Sequence, residues 1–323
     1  MAENEEQKKI EIKDFVMDRT ISMTPIGKIK LVKSKGNNKY YAFKILEKSQ
    51  IIKSSLVNQV LNEVKILSTL DHPFIQSFIG YNHNTSYIYL AYELANGGDL
   101  FSYLRRVGHF ETDQVKFYGS QVILMLEYLH HNNVIHRDIK PENLLLDKNG
   151  YLKLTGFDNA KICPERTYTI CGTPEYMAPE TILGKGHGKG VDWWAFGILL
   201  FELFTGITPF TENNPVMMMK SIINEKVHFP EMFEDEDAKS LIRHLLEKDI
   251  TKRYGVLRGG VNDIKLHKFF QSTDWRGLLS YKVKAQYTPK VTKGGDVDNY
   301  PNYDDSDTVA QQVAPEEDPF ENW

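Results

Sequence analysis

The chain has 323 residues, 41% of them hydrophobic and 25% charged, with a formal net charge of −4, which is enough apolar material for one large core or two smaller ones. No apolar run is long enough to span a bilayer, the polar start at residues 1–9 lacks the shape of a signal peptide, and Ala2 stands where N-myristoylation requires glycine. Cytosol or nucleus is therefore the expected compartment, neither membrane nor nucleic acid is expected as a partner, and the two cysteines, Cys163 and Cys171, without metal-site spacing, point to a reducing environment.

The first elements read as strands. Lys30-Leu31-Val32 is followed by the turn signal Lys35-Gly36-Asn37-Asn38 and then by Tyr40 to Leu46, a strand on which Lys44 shares a face with Ala42 and Leu46. A helix is expected from about Ser54 as its N-cap, with Val57, Val60, Leu61, Val64 and Leu67 at helical spacing and Glu63 among them. A strand pair surrounds Tyr87 to Leu94, and the break Ala95-Asn96-Gly97-Gly98 reads as a hinge between a small strand-rich lobe and a larger helical one. In the second part, Val115, Tyr118, Val122, Met125, Leu126 and Leu129 mark an amphipathic helix, and Asn149-Gly150 closes a hairpin between Leu144–Asp147 and Tyr151–Thr155. Residues 191–204 are apolar nearly all round and belong in the middle of a domain. After Lys293 the tail holds nine acids and no Lys or Arg, so it is an acidic appendage on a net positive body. Its aromatics Tyr300, Tyr303, Phe320 and Trp323 argue against a purely solvating tail.

Between the amphipathic helix and the hairpin lies His136-Arg137-Asp138-Ile139-Lys140-Pro141-Glu142-Asn143, the catalytic-loop pattern of protein kinases without a gap. With Gly172-Thr173-Pro174-Glu175-Tyr176-Met177-Ala178-Pro179-Glu180 and Asp192-Trp193-Trp194-Ala195, the chain from about Phe15 to Trp323 resembles the AGC serine/threonine protein kinases of the cAMP-dependent type. The resemblance implies an α+β bilobal fold. Residues 1–14 would be an N-terminal extension, 15–94 a small lobe of antiparallel sheet plus one helix, 95–270 a large mainly helical lobe, and 271–323 a C-terminal tail wrapping the small lobe.

It also implies ATP-dependent phosphoryl transfer to protein Ser or Thr with Mg²⁺ or Mn²⁺, a reaction that needs positioned cations and one base. Lys44 would contact the α- and β-phosphates, Glu63 would fix its ammonium, and Ile21, Gly27, Ile29, Ala42, Tyr92, Glu93, Ala95 and Asp99 would line the nucleotide, with Tyr92 gating the space behind adenine. Asp138 would accept the proton of the substrate hydroxyl, Lys140 would neutralise the γ-phosphate, and Asn143 would bind a metal ion. Thr169 stands where the family carries an activation-loop phosphothreonine, with Arg137 and Lys161 as its cationic partners and Gln59 where a His often joins them. Asp99, Glu142 and Glu175 fall where acids capture basic residues upstream of the acceptor, while Lys220 at a further such point would repel them. Ile170, Pro174 and Met177 suit an apolar residue after the acceptor. Phe320 and Trp323 would pack into a small-lobe pocket. The partner is a protein substrate or binding partner, with a cAMP-binding regulatory subunit as one candidate, although Tyr168 replaces a Trp of that contact.

Two segments depart from the pattern. Where the family has a glycine-rich loop, Ile21-Ser22-Met23-Thr24-Pro25-Ile26-Gly27-Lys28-Ile29 retains only the last glycine, and Pro25 removes one N–H. In Thr155-Gly156-Phe157-Asp158 the family's Asp-Phe-Gly element has its first and third residues exchanged, so the metal-binding carboxylate is missing at Gly156. Asp158 is expected either as a relocated metal ligand or in the left-handed backbone that Gly supplies. The chain is then either a slow kinase or a pseudokinase serving as a protein-binding or allosteric module.

Overall fold

The computed structural model describes residues 9–231, 233–303 and 310–323. The polar start at 1–8, with Ala2, and the tail acids Asp304, Asp305 and Asp307 lie outside the described residues.

The first half builds a sheet around Lys44. Strands β1 (Phe15–Thr24), β2 (Gly27–Ser34) and β3 (Tyr40–Glu47) are followed by helices α1 (Lys48–Lys53) and α2 (Val57–Thr69), then β4 (Phe78–His83) and β5 (Tyr87–Glu93). The strands pair antiparallel in the order β1-β2-β3-β5-β4, which sets Lys44 opposite Ile29 on one side and Leu90 on the other. The period of two along β3 divides its side chains as expected. Ala42 and Leu46 join the main core with Val60, Val64 and Leu67 of α2, while Phe43 and Ile45 pack on the opposite face with Val32, Tyr89 and Ala91 under Ile10, Ile12 and Phe15. The expected N-cap is corrected: Ser54 ends α1, and α2 starts three residues past it, with Leu56 as N-cap and no side-chain cap. The cause is Ser55, whose φ of 57° lies in the left-handed region through which no helix continues.

Beyond the hinge come α3 (Leu100–Val107), α4 (Thr112–His131), β6 (Val134–Ile135), the hairpin of β7 (Leu144–Leu146) and β8 (Leu152–Leu154), and β9 (Lys161–Ile162). Helices α5 (Pro179–Ile182), α6 (Gly190–Thr205), α7 (Pro215–Asn224) and α8 (Glu236–Leu245) follow. The apolar helix α6 is buried along nearly its whole length and packs on α4 and α8. Its start and α5 are held by Arg253, 0% exposed, which donates to both oxygens of Glu180 at 2.6 and 3.0 Å and to the Gly190 carbonyl. This is a small sheet lobe and a large helical lobe, the bilobal kinase architecture.

The tail returns across the hinge. Tyr300 donates its hydroxyl to the Ala95 carbonyl at 2.5 Å, and Arg19 of β1 reaches the Val297 carbonyl and Asn302. Phe320 is buried against the core, and Trp323 stacks on Tyr81 with ring centroids 4.4 Å apart.

Candidate active site

Sheet register and α2 converge on the Lys44 ammonium. It donates to Glu63 Oε1 and Oε2 at 2.9 and 3.0 Å and also bonds Asp158 Oδ1. Tyr92, across from Ala42 on β5, adds its hydroxyl to Glu63 Oε1 at 3.0 Å, a role its reading as a gate did not anticipate. Burial and the nearby Asp158 push the Glu63 carboxyl up to about 6, against the pull of Lys44. Of the other residues read as lining a nucleotide, Ile21 is in the core with Ala42, and Ile29 packs against it. Glu93 bridges to Lys153 at 3.2 Å, its carbonyl accepts from Gln76, and the Ala95 carbonyl is taken by Tyr300. Asp99 caps α3 by accepting from the Ser102 N–H at 2.7 Å.

The catalytic-loop residues form a second knot. Asn143 donates to the Asp138 carbonyl at 2.8 Å and to Asp138 Oδ2 at 3.0 Å, while Lys140 lies 3.3 Å from the same carboxylate. Thr173 donates both its N–H and its hydroxyl to Asp138 Oδ1, at 3.0 and 2.7 Å, and accepts from Lys140 at 2.6 Å. Thr173 and Asp192 were legible only as parts of longer motifs. Asp192, buried at the start of α6, accepts from the N–H groups of His136 and Arg137 and bonds His130 Nε2. Those bonds hold Arg137 at φ 68°, a conformation that side chains ordinarily avoid.

The exchanged element departs from expectation. Gly156 takes the left-handed backbone, φ 77° and ψ 45°, and Asp158 sits in a 3-10 turn at Phe157–Asn159, outside the left-handed region. The reading of Asp158 as a left-handed substitute for Gly is therefore corrected. Burial would raise its carboxyl, but Lys44 holds it below the usual carboxylate range. A Cβ on Gly156 would lie 2.5 Å from Asn143 Oδ1, so the Asn143 amide fills the space that a side chain at 156 would need. Gly27 is also explained by packing. A Cβ there would lie 2.0 Å from the Ile45 carbonyl, so its retention follows from the close approach of β2 to β3 and says nothing about phosphate. Gln59 and Asn62 of α2 reach Asn159 and the Ala160 carbonyl, tying the helix to this turn.

The activation segment is partly committed. Thr169, Tyr168 and Ile170 are exposed. Lys161, read as a partner of Thr169, donates instead to Thr167 at 2.9 Å. Arg137 donates from Nε to the Asn159 carbonyl, and its Nη1 is buried without a partner among the described residues.

A further carboxylate lies near Glu142 and Glu175. Glu202 of α6, 1% exposed, accepts the Tyr176 hydroxyl. Burial, with Glu142 and Glu175 nearby, pushes its carboxyl up to about 7. Lys220 is exposed on α7. Glu202 escaped notice because it lies in an apolar run.

A carboxyl raised in the folded state contributes stability fully below its ordinary pKa and loses it as pH rises to the folded value. Glu202→Gln should therefore remove about 2–3 kcal/mol of pH-dependent destabilisation between pH 4.5 and 7, read as a flattened urea midpoint against pH. An unchanged slope would disprove the assignment.

A lysine clamped by a helix glutamate, beside a loop aspartate flanked by Lys140, Asn143 and Thr173, defines a phosphoryl-transfer type of cleft. Comparison places the chain accordingly: residues 17–270 match the model of the protein kinase domain, and the chain belongs to that family. It is 39% identical over 307 residues to the cAMP-dependent protein kinase catalytic subunit PRKX of Homo sapiens, covering 95% of this chain and 86% of the relative. It is 39% identical over 296 residues to cAMP-dependent protein kinase type 3 of Saccharomyces cerevisiae, covering 91% and 74%. It is 40% identical over 310 residues to the cAMP-dependent protein kinase catalytic subunit of Schizosaccharomyces pombe, covering 95% and 60%.

Proposed function

We propose that the chain is a serine/threonine protein kinase of the cAMP-dependent type whose metal-assisted turnover is severely reduced. The observation that carries the first half is the Asp138 knot. One carboxylate is held by Asn143, Lys140 and Thr173 in position to orient a hydroxyl and accept its proton, next to a Lys44–Glu63 pair that is already formed. Glu142, Glu175 and Glu202 favour a basic segment beside the acceptor, and the exposed Ile170 favours an apolar residue after it.

The second half rests on the donor set. Protein kinases use ATP with a divalent ion, which supplies charge neutralisation on the phosphates. Gly156 offers no side chain, Asp158 has one carboxylate oxygen bonded to Lys44, and the Asn143 amide nitrogen donates to Asp138, leaving the Asn143 amide oxygen and the second oxygen of Asp158. Without a carboxylate at 156 and with Asp158 shared with Lys44, this is a weak donor set for a divalent ion, so more of the charge stabilisation falls to Lys140 and Lys44, with Asp138 as the base. Phosphoryl transfer from ATP to a Ser peptide with upstream arginines is expected to be slow with Mg²⁺ or Mn²⁺ and abolished by Asp138→Asn. Turnover at an ordinary kinase rate would overturn the impairment. Turnover indistinguishable from Asp138→Asn would favour the second reading, a protein-binding module, for which the Asp158–Lys44 pair speaks.

Regulation belongs to the same proposal. A phosphate on exposed Thr169 would find the unpartnered Arg137 Nη1, forming charge-assisted bonds that order the segment. Peptide mapping of cellular protein should recover phospho-Thr169, and a uniformly unmodified threonine would remove this role. A regulatory subunit would meet the exposed Tyr168, and the cytosol is the compartment proposed for both.

A further inference from the structure

The phosphate end of the cleft is already neutralised from within. Lys44 faces two carboxylates, Glu63 at 2.9 Å and Asp158, and Lys140 faces Asp138 at 3.3 Å. Two cations thus stand against three carboxylates, and the residue that would bring in a divalent ion is a glycine. An arriving polyphosphate must displace Asp158 from Lys44 and then sit beside it, two like charges in a partly buried site. The loop above offers little in return, because Pro25 contributes no N–H. The adenine end carries no such penalty. The residues read as that end include the uncharged Ala42 and Tyr92, both in the core, and Ala95, whose carbonyl accepts from Tyr300.

We propose that this cleft selects adenine ligands by low charge, taking the uncharged nucleoside in preference to the free triphosphate, with Asp158 as the residue that sets the order. The inference rests on the reading that the cleft accepts adenine nucleotides. Its consequence is regulatory, since a nucleoside would compete with ATP for a slow enzyme. Asp158 also makes to Lys44 the kind of anionic contact that a phosphate would make, alongside the Lys44–Glu63 pair.

The test is calorimetric titration of the full chain with adenosine, AMP, ADP and ATP in EDTA. Affinity should fall along that series, with ATP at least about tenfold weaker than adenosine, a difference of about 1.4 kcal/mol. Asp158→Asn should strengthen ATP about tenfold and leave adenosine within about twofold, and Asp158→Gly serves as the second variant should the first fold poorly. ATP binding as tightly as adenosine to the natural chain would overturn the inference, as would a variant that shifts both ligands equally or a failure of all four to bind. Phosphotransfer is scored separately. Slow turnover with the reversed order sinks the charge selection alone, and the predicted order without any turnover sinks the kinase reading alone.

Discussion

Exchanging the two altered residues, Gly156→Asp with Asp158→Gly, is expected to raise Mg²⁺-dependent phosphoryl transfer by ~10²–10³-fold, because metal charge on the transferring phosphate supplies several kcal/mol of transition-state stabilisation. Each half of the exchange has its own part. Removing the Asp158 carboxylate frees one side of Lys44, which keeps Glu63 as its partner. Adding a carboxylate at 156 brings a ligand to the end of the hairpin where Thr155 N–H bonds the Asn143 carbonyl, so the new Asp and Asn143 would stand together. Asp tolerates the φ of 77° found there better than most residues. Its Cβ would press on the Asn143 amide, whose oxygen already faces position 156 at 2.5 Å from that Cβ, so the amide must shift to make room. Gly156→Asp alone should gain less, since Asp158 would still hold Lys44. The measurement is kcat on an arginine-bearing Ser peptide with Mg²⁺ against EDTA. A double exchange that stays at the natural rate would mean that the loop over the phosphates, with Pro25 at its tip, limits turnover.

What could be read from the chain divides by the kind of signal. Periodicity put Lys44 and Ala42 on one strand face, Asn149-Gly150 at the hairpin turn and the apolar run 191–204 in the middle of the large lobe, because each depends only on which side of an element is buried. Three details escaped. The start of α2 was misplaced because Ser55 breaks the helix by backbone conformation, which composition does not report. The bond from Asp158 to Lys44 joins residues 114 apart, so no local pattern carries it. Glu202 was passed over because its neighbours in sequence are apolar, and only the fold brings Glu142, Glu175 and Tyr176 to it. The lesson of Gly27 runs the other way: a residue that looked like the remnant of a phosphate loop is required by the Ile45 carbonyl.

The C-terminal segment offers the second large effect, and its logic is non-additivity. Lys48, the first residue of α1, is 0% exposed and has Asp318 of the tail at 2.5 Å and His83 Nδ1 at 3.0 Å. Burial and Lys48 hold the His83 imidazole below its usual range, so it accepts from Lys48 as a neutral ring and supplies no countercharge. Asp318→Asn therefore strands a buried ammonium, a change that ordinarily costs ~3–5 kcal/mol. Phe320, also 0% exposed, has a truncation cost in the same range, ~3–5 kcal/mol for Phe→Ala. Neither cost can be realised in full if the tail simply leaves, because undocking lets water reach Lys48 and empties the Phe320 pocket at once. The loss of stability should then saturate at the docking free energy of the tail. The double variant Asp318→Asn with Phe320→Ala should melt within about 0.5 kcal/mol of the worse single variant, and all three should expose the tail to protease. Costs that add would mean that the tail stays docked through Trp323 on Tyr81 and Lys9 on the Trp323 carbonyl, and that those contacts hold the strap.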